Sequence, residues 1–163
     1  MCGQITDHGF HRLLVLLGSQ KGMEAEHAAG TLQHTCSISE AGREAVVSAG
    51  GVELLVGLLG SQKGMEAEHA AGTLQHTCST SEAGRETVVG AGGVELLVGL
   101  LGSQKGMEAE YAACILQCVN CVPSLDPNVL IDAGGLDGLL GLLGSGKGSE
   151  SDHATLTLRR LCR

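Results

Sequence analysis

Aromatic side chains are almost missing: Phe10 and Tyr111 are the only two, and tryptophan is absent. Stacking of bases or sugars, and the gripping of proline-rich ligands, rest on several rings, so those binding classes are disfavoured. Positive charge is also scarce, with 10 Lys and Arg against 18 Asp and Glu and a formal charge of −8. Affinity for a phosphate backbone comes from cations that displace its counterions, so nucleic acid is not an expected partner. No apolar run approaches the roughly 20 residues of a bilayer span. The first apolar stretch, Leu13 to Leu17, is too short for a signal-peptide core and lacks a small-residue cleavage site. Without an export signal, the seven cysteines are expected as reduced thiols in the cytoplasm or nucleus and not as a disulfide framework.

What the chain does have is repetition. The segment Gly18 to Leu59 returns as Gly60 to Leu101 with three differences: Ile38 against Thr80, Ala45 against Thr87 and Ser48 against Gly90. A third, diverged copy runs from Gly102 to Leu143 and a truncated one from Gly144, so the period is 42 residues. Divided by helix content, the chain is one solenoid of 163 residues: a partial unit at 1–37 lacking its first helix, then units at 38–79, 80–121 and 122–163. The pattern within each unit has helical and not strand periodicity. In the second copy Ala83, Val88 and Val89 mark a short first helix, and Ser79-x-x-Glu82 has capping-box spacing. Gly92-Gly93 breaks the chain, since one of the two can take the positive φ that ends a helix. Val94, Leu96, Leu97, Leu100 and Leu101 form the stripe of a second helix, and the longest helix follows from about Met107 to Asn120. In the third copy Asp126-Pro127 reads as an N-cap residue followed by proline at the first helical position. Three helices per unit, none able to bury its apolar face alone, must stack into an all-α solenoid.

The run Ala-Ala-Gly-Thr-Leu-Gln-His at 28–34 and 70–76, followed by SEAGREAVVSAGGVELLVGLL, resembles armadillo repeats. In style it is similar to the catenin-like repeats and to those of plant and algal armadillo proteins. The resemblance implies a right-handed superhelix of three-helix repeats. It also implies a scaffold, neither an enzyme nor a cofactor protein, that binds an extended peptide or a partner protein along the concave face of its third helices. Where many armadillo proteins carry a peptide-clamping Asn, this chain has His34, His76, Cys118 and Arg160. Where importin-type repeats place Trp it has Gly30, Gly72, Cys114 and Leu156, so a nuclear import adaptor is the weaker subtype.

Spacings of 3, 4 and 7 put His27, Gly30 and His34, and again His69, Gly72 and His76, on one helix face. Tyr111 and His153 continue the first column; Cys118 and Arg160 continue the second. The expected peptide contacts are His27, His34, His69, His76, Tyr111, Cys118 and Arg160, with Gln33, Gln75 and Gln117 near the rim. Protonation near pH 6.5 would turn the histidine stripe toward acidic ligands. Glu24, Glu66, Glu108 and Glu150, with Glu26, Glu68, Glu110 and Asp152, stand at the starts of the third helices, where the helix dipole alone accounts for them. Lys21, Lys63, Lys105 and Lys147 in the preceding turns partly offset their field. The competing reading is a metal-binding or redox-sensitive thiol protein centred on Cys114, Cys118 and Cys121. No nucleophile–base set stands out, and the GSQKG turns lack phosphate-loop spacing. Both ends read as cut, with Phe10, Leu13, Leu14 and Leu17 forming no cap, which suggests self-association through them.

Overall fold

A computed structural model describes residues 7–19, 22–61, 64–102, 107–145 and 148–162. Among them are eleven helices and no strand. Helices α1 (Asp7–Gly18) and α2 (Gly22–Ile38) open the chain. Then come three triplets: α3 (Glu40–Ser48), α4 (Gly51–Ser61) and α5 (Gly64–Thr80); α6 (Glu82–Gly90), α7 (Gly93–Leu101) and α8 (Glu108–Val119); α9 (Pro127–Asp132), α10 (Gly135–Ser145) and α11 (Ser149–Leu161).

Local chemistry explains the breaks. Ser39 and Ser81 take extended backbone conformations, and their hydroxyls accept from the Gly42 and Gly84 N–H groups at 3.1 Å. The capping residue is therefore Ser81, not Ser79. Ser79 lies within α5, where its hydroxyl donates to the Gln75 carbonyl at 2.7 Å, so the Ser79–Glu82 spacing is not a capping box. Asp126 caps α9 as expected, accepting from the Asn128 N–H, with proline in the first turn. At the Gly-Gly pair the two residues do different things. Gly92 takes φ of 72°, in the left-handed region that glycine enters without strain. Gly93 allows a close approach, because a Cβ there would lie 2.8 Å from the Val88 carbonyl oxygen.

The triplets stack through like helices. Helices α2, α5, α8 and α11 pack in series, and α1, α4, α7 and α10 form a second row behind them. The third helices meet through small side chains, with Ala28, Ala29, Ala70, Ala71, Ala112 and Ala113 all buried, which lets their axes draw close. Leu32, Leu55, Leu74, Leu97, Ile115 and Leu139 run through one continuous core between the rows. Phe10, Leu14 and Leu17 belong to that core, turned inward by α1. Arginines of the first helices tie the first two triplets to the third helix that precedes each of them. Arg43 donates to the Cys36 carbonyl at 2.6 Å and Arg85 to the Cys78 carbonyl at 2.7 Å, each serving an orphan acceptor near the end of a third helix. The corresponding position in the third copy is Pro127, so that tie is missing there.

Candidate ligand-binding face

The four third helices place the expected contact residues on one layer but do not leave them all free. His27 and His34 are exposed on α2. On α5, His69 and His76 are half-buried. Burial, with the Arg43 guanidinium second, holds the His76 imidazole below its ordinary 6.5. Glutamine, expected at the rim, is the residue that binds the rungs together. His69 Nδ1 donates to Gln33 Oε1 at 2.7 Å, and since a carboxamide oxygen only accepts, the ring must carry its proton on Nδ1. The Gln33 amide nitrogen then donates to the Tyr111 hydroxyl at 3.3 Å, reaching from α2 across α5 to α8. Gly72 makes that reach sterically available: a Cβ there would lie 2.1 Å from Gln33 Nε2. The same tie recurs at the other end, where His153 Nδ1 donates to Gln117 Oε1. In the middle it changes: Tyr111 and not histidine stands 36 residues after Gln75, and the Gln75 amide goes to the Cys114 sulfur at 3.7 Å.

The cysteines divide in two. Cys36 and Cys78 are fully buried, and burial pushes their thiols from 9.0 up to about 11 and about 12. They are inert packing residues. Cys114 and Cys118 lie one helical turn apart on α8: a hydrogen bond from the Cys118 thiol, opposed by burial and helped by the Gln75 amide, lowers Cys114, while the same bond and burial raise Cys118. Cys121 lies beyond α8, is exposed, and its sulfur accepts from Arg160. The expected three-thiol cluster does not converge, because the last cysteine leaves the helix and turns to a guanidinium on α11. Among the described residues no group of three or more His, Cys, Asp or Glu is placed to hold a metal ion.

The acidic columns lie along the N-terminal turns of the third helices, and Glu110 accepts a hydrogen bond from Ser149 on the next rung. Lys21, Lys63, Lys105 and Lys147 lie outside the described residues. Two features escape sequence reasoning. One is the glutamine tie, whose only trace is a separation of 36, not 42, between Gln33 and His69 and between Gln117 and His153. The other is Arg159, which with Arg160 occupies the Gln–His positions of earlier copies and lines a cavity of about 280 Å³ with Gln117 and Leu156.

No protein-family model and no curated protein matches this sequence. Similar solved structures include engineered proteins and designed armadillo repeat proteins. A crystal structure of an engineered protein superimposes with a TM-score of 0.83 at 32% identity over 94% of this chain and 62% of that one. A designed armadillo repeat protein in complex with the peptide (KR)4 gives 0.79 at 18% identity, covering 94% of this chain and 64% of that one. Computationally designed armadillo repeat proteins for modular peptide recognition give 0.83 at 18% identity with the same coverages. The chain thus spans less than two thirds of the length of each of these. With its stacked helix triplets, the fold is an armadillo-type α-solenoid.

Proposed function

We propose that this chain is a non-enzymatic scaffold whose third-helix face binds an extended segment of a partner protein. One observation carries the reading: α2, α5, α8 and α11 form an unbroken row that includes small residues, as at Gly30 and Gly72, and accessible polar ones, as at His27 and His34. A row of that kind offers a strand-like backbone successive hydrogen-bonding groups, one set per rung, in the manner of extended-peptide recognition. The designed proteins of like fold, described with a bound peptide or as made for peptide recognition, support peptide binding by such a scaffold. The repeated Gly-Gly units and the glycine at the importin Trp position favour a catenin-like repeat over an import adaptor. Reduced thiols fit a location in the cytoplasm or nucleus.

Selection of a phage-displayed random dodecapeptide library on the full chain tests the reading. Selected peptides are expected to lose about tenfold in affinity for H34A/H76A and to be indifferent to E53Q on the opposite row. Peptides that respond to E53Q and not to H34A/H76A would show that the other row is the binding face.

A further inference from the structure

Toward the C-terminal ends of the third helices the positions of the Gln–His column are neutral or weakly basic until the last rung. There the repeated Gln–His positions, 33–34 and 75–76, become Arg159 and Arg160, both exposed and both lining the cavity between α8 and α11. Gln117 closes that cavity from the facing helix. Its carbonyl oxygen is already taken by His153, so what it has left to offer is its amide N–H donors. The two earlier glutamines have each spent one of their two amide N–H donors, Gln33 on Tyr111 and Gln75 on Cys114. Arg160 spends one N–H on the Cys121 sulfur, a weak acceptor, and keeps the rest of its fork. Among the described residues neither guanidinium meets a carboxylate. On α11 the nearest acid, Asp152, lies seven residues before Arg159, about 10 Å along the axis, and on α8 Glu110 lies seven residues before Gln117. Stabilisation of the α11 dipole accounts for cations anywhere in the last turn, but not for two of them converging with a spare amide over a cavity. The fourth lining residue, Leu156, is 44% exposed and apolar.

We infer that the α8–α11 cavity is a carboxylate site, in which Arg159, Arg160 and the Gln117 amide hold a carboxylate while Leu156 receives an adjoining aliphatic group. A carboxylate matches the planar guanidinium fork, and an acceptor-only ligand fits a site built from donors. In a chain of net charge −8 the site gives a bound segment a fixed end, because an acidic or C-terminal group is attracted to this rung and repelled from the glutamate-bearing turns. The inference rests on the proposed function only in taking the carboxylate to belong to a peptide.

The test titrates isovalerate, isovaleramide and inorganic phosphate into the full chain and follows arginine Nε–H and glutamine side-chain NMR signals. Isovalerate is expected to shift Arg159, Arg160 and Gln117 saturably, with isovaleramide about tenfold weaker. R159Q and R160Q are expected to weaken isovalerate severalfold with unchanged helical circular dichroism, and R159K, which keeps the charge and loses the fork, to fall between wild type and R159Q. No saturable shift with isovalerate, an undiminished Gln117 shift in R159Q/R160Q, or phosphate binding as tightly as isovalerate would each overturn the assignment. A peptide library that yields no binder while isovalerate still responds would overturn the peptide reading and leave the carboxylate site standing.

Discussion

The junction between α2 and α5 and the junction between α5 and α8 begin from the same glutamine and end differently. At the first, Gln33 passes over the bare backbone of Gly72 and ties three consecutive rungs through His69 and Tyr111. At the second, Tyr111 and not histidine stands 36 residues after Gln75, and the Gln75 amide stops one rung on, at the Cys114 sulfur. Gly72 is thus a structural choice made on behalf of a neighbour: its missing Cβ leaves room for the preceding rung's amide. The duplicated part of the molecule is also tied by Arg43 and Arg85, whereas the third copy substitutes an Asp–Pro start.

Breaking the arginine tie should have the largest effect. R85A leaves the Cys78 carbonyl without its charged donor and should cost about 2–3 kcal/mol in urea unfolding. Arg43 has the same carbonyl bond in the preceding copy, and a cost for R43A below half that of R85A would show that the two copies are not equivalent. The glutamines sharpen the contrast more finely. Q33A loses two partners and should cost about 1–2 kcal/mol, while Q75A, with one N–H···S contact, should cost about 0.5 kcal/mol. Equal costs would mean that the reach over Gly72 contributes nothing.

A different glycine gives the opposite sign. Nothing lies within 4 Å of a Cβ built at Gly99 in α7, so G99A should stabilise by about 1 kcal/mol, against the clash that Gly93 in the same helix would meet. The pH responses separate the copies by a further, smaller margin. Cys36 and Cys78 occupy the position that is Asn120 in the third copy. Their thiols stay protonated in the folded chain up to about 11 and about 12, while unfolded thiols ionise near 9.0. Their contribution is intact below pH 9.0 and lost as pH rises toward those values, so C36A/C78A should flatten the alkaline fall in melting temperature. His76 runs the other way: its lowered value means that the unfolded chain takes the proton first, so stability falls as pH drops below 6.5. An NMR titration midpoint for His76 at or above 6.5 would contradict this.

Much of this architecture can be read from residues alone, and the misreadings have a common cause. The Gly-Gly break, the Asp126-Pro127 start and the apolar stripe of α7 are local patterns, and each is where its spacing puts it. The cap of α6 is Ser81 and not Ser79 because α5 runs on to Thr80, which keeps Ser79 inside that helix. The histidines fell on the expected layer, but His69 and His153 are partnered, and no spacing within one helix announces that.

By itself the sequence determined the period, the three helices per period and the face that each helix buries, because those depend on side chains a few residues apart on one rigid cylinder. The tertiary structure alone decided which polar atoms meet: the 36-residue tie, the parting of Cys121 from Cys114 and Cys118, and the gathering of Gln117 with Arg159 and Arg160. Those contacts depend on the axial offset and crossing of neighbouring helices. These are set by how alanines and leucines pack between the rungs, and a hydrogen bond that forms at 3 Å is lost to an offset of one more ångström.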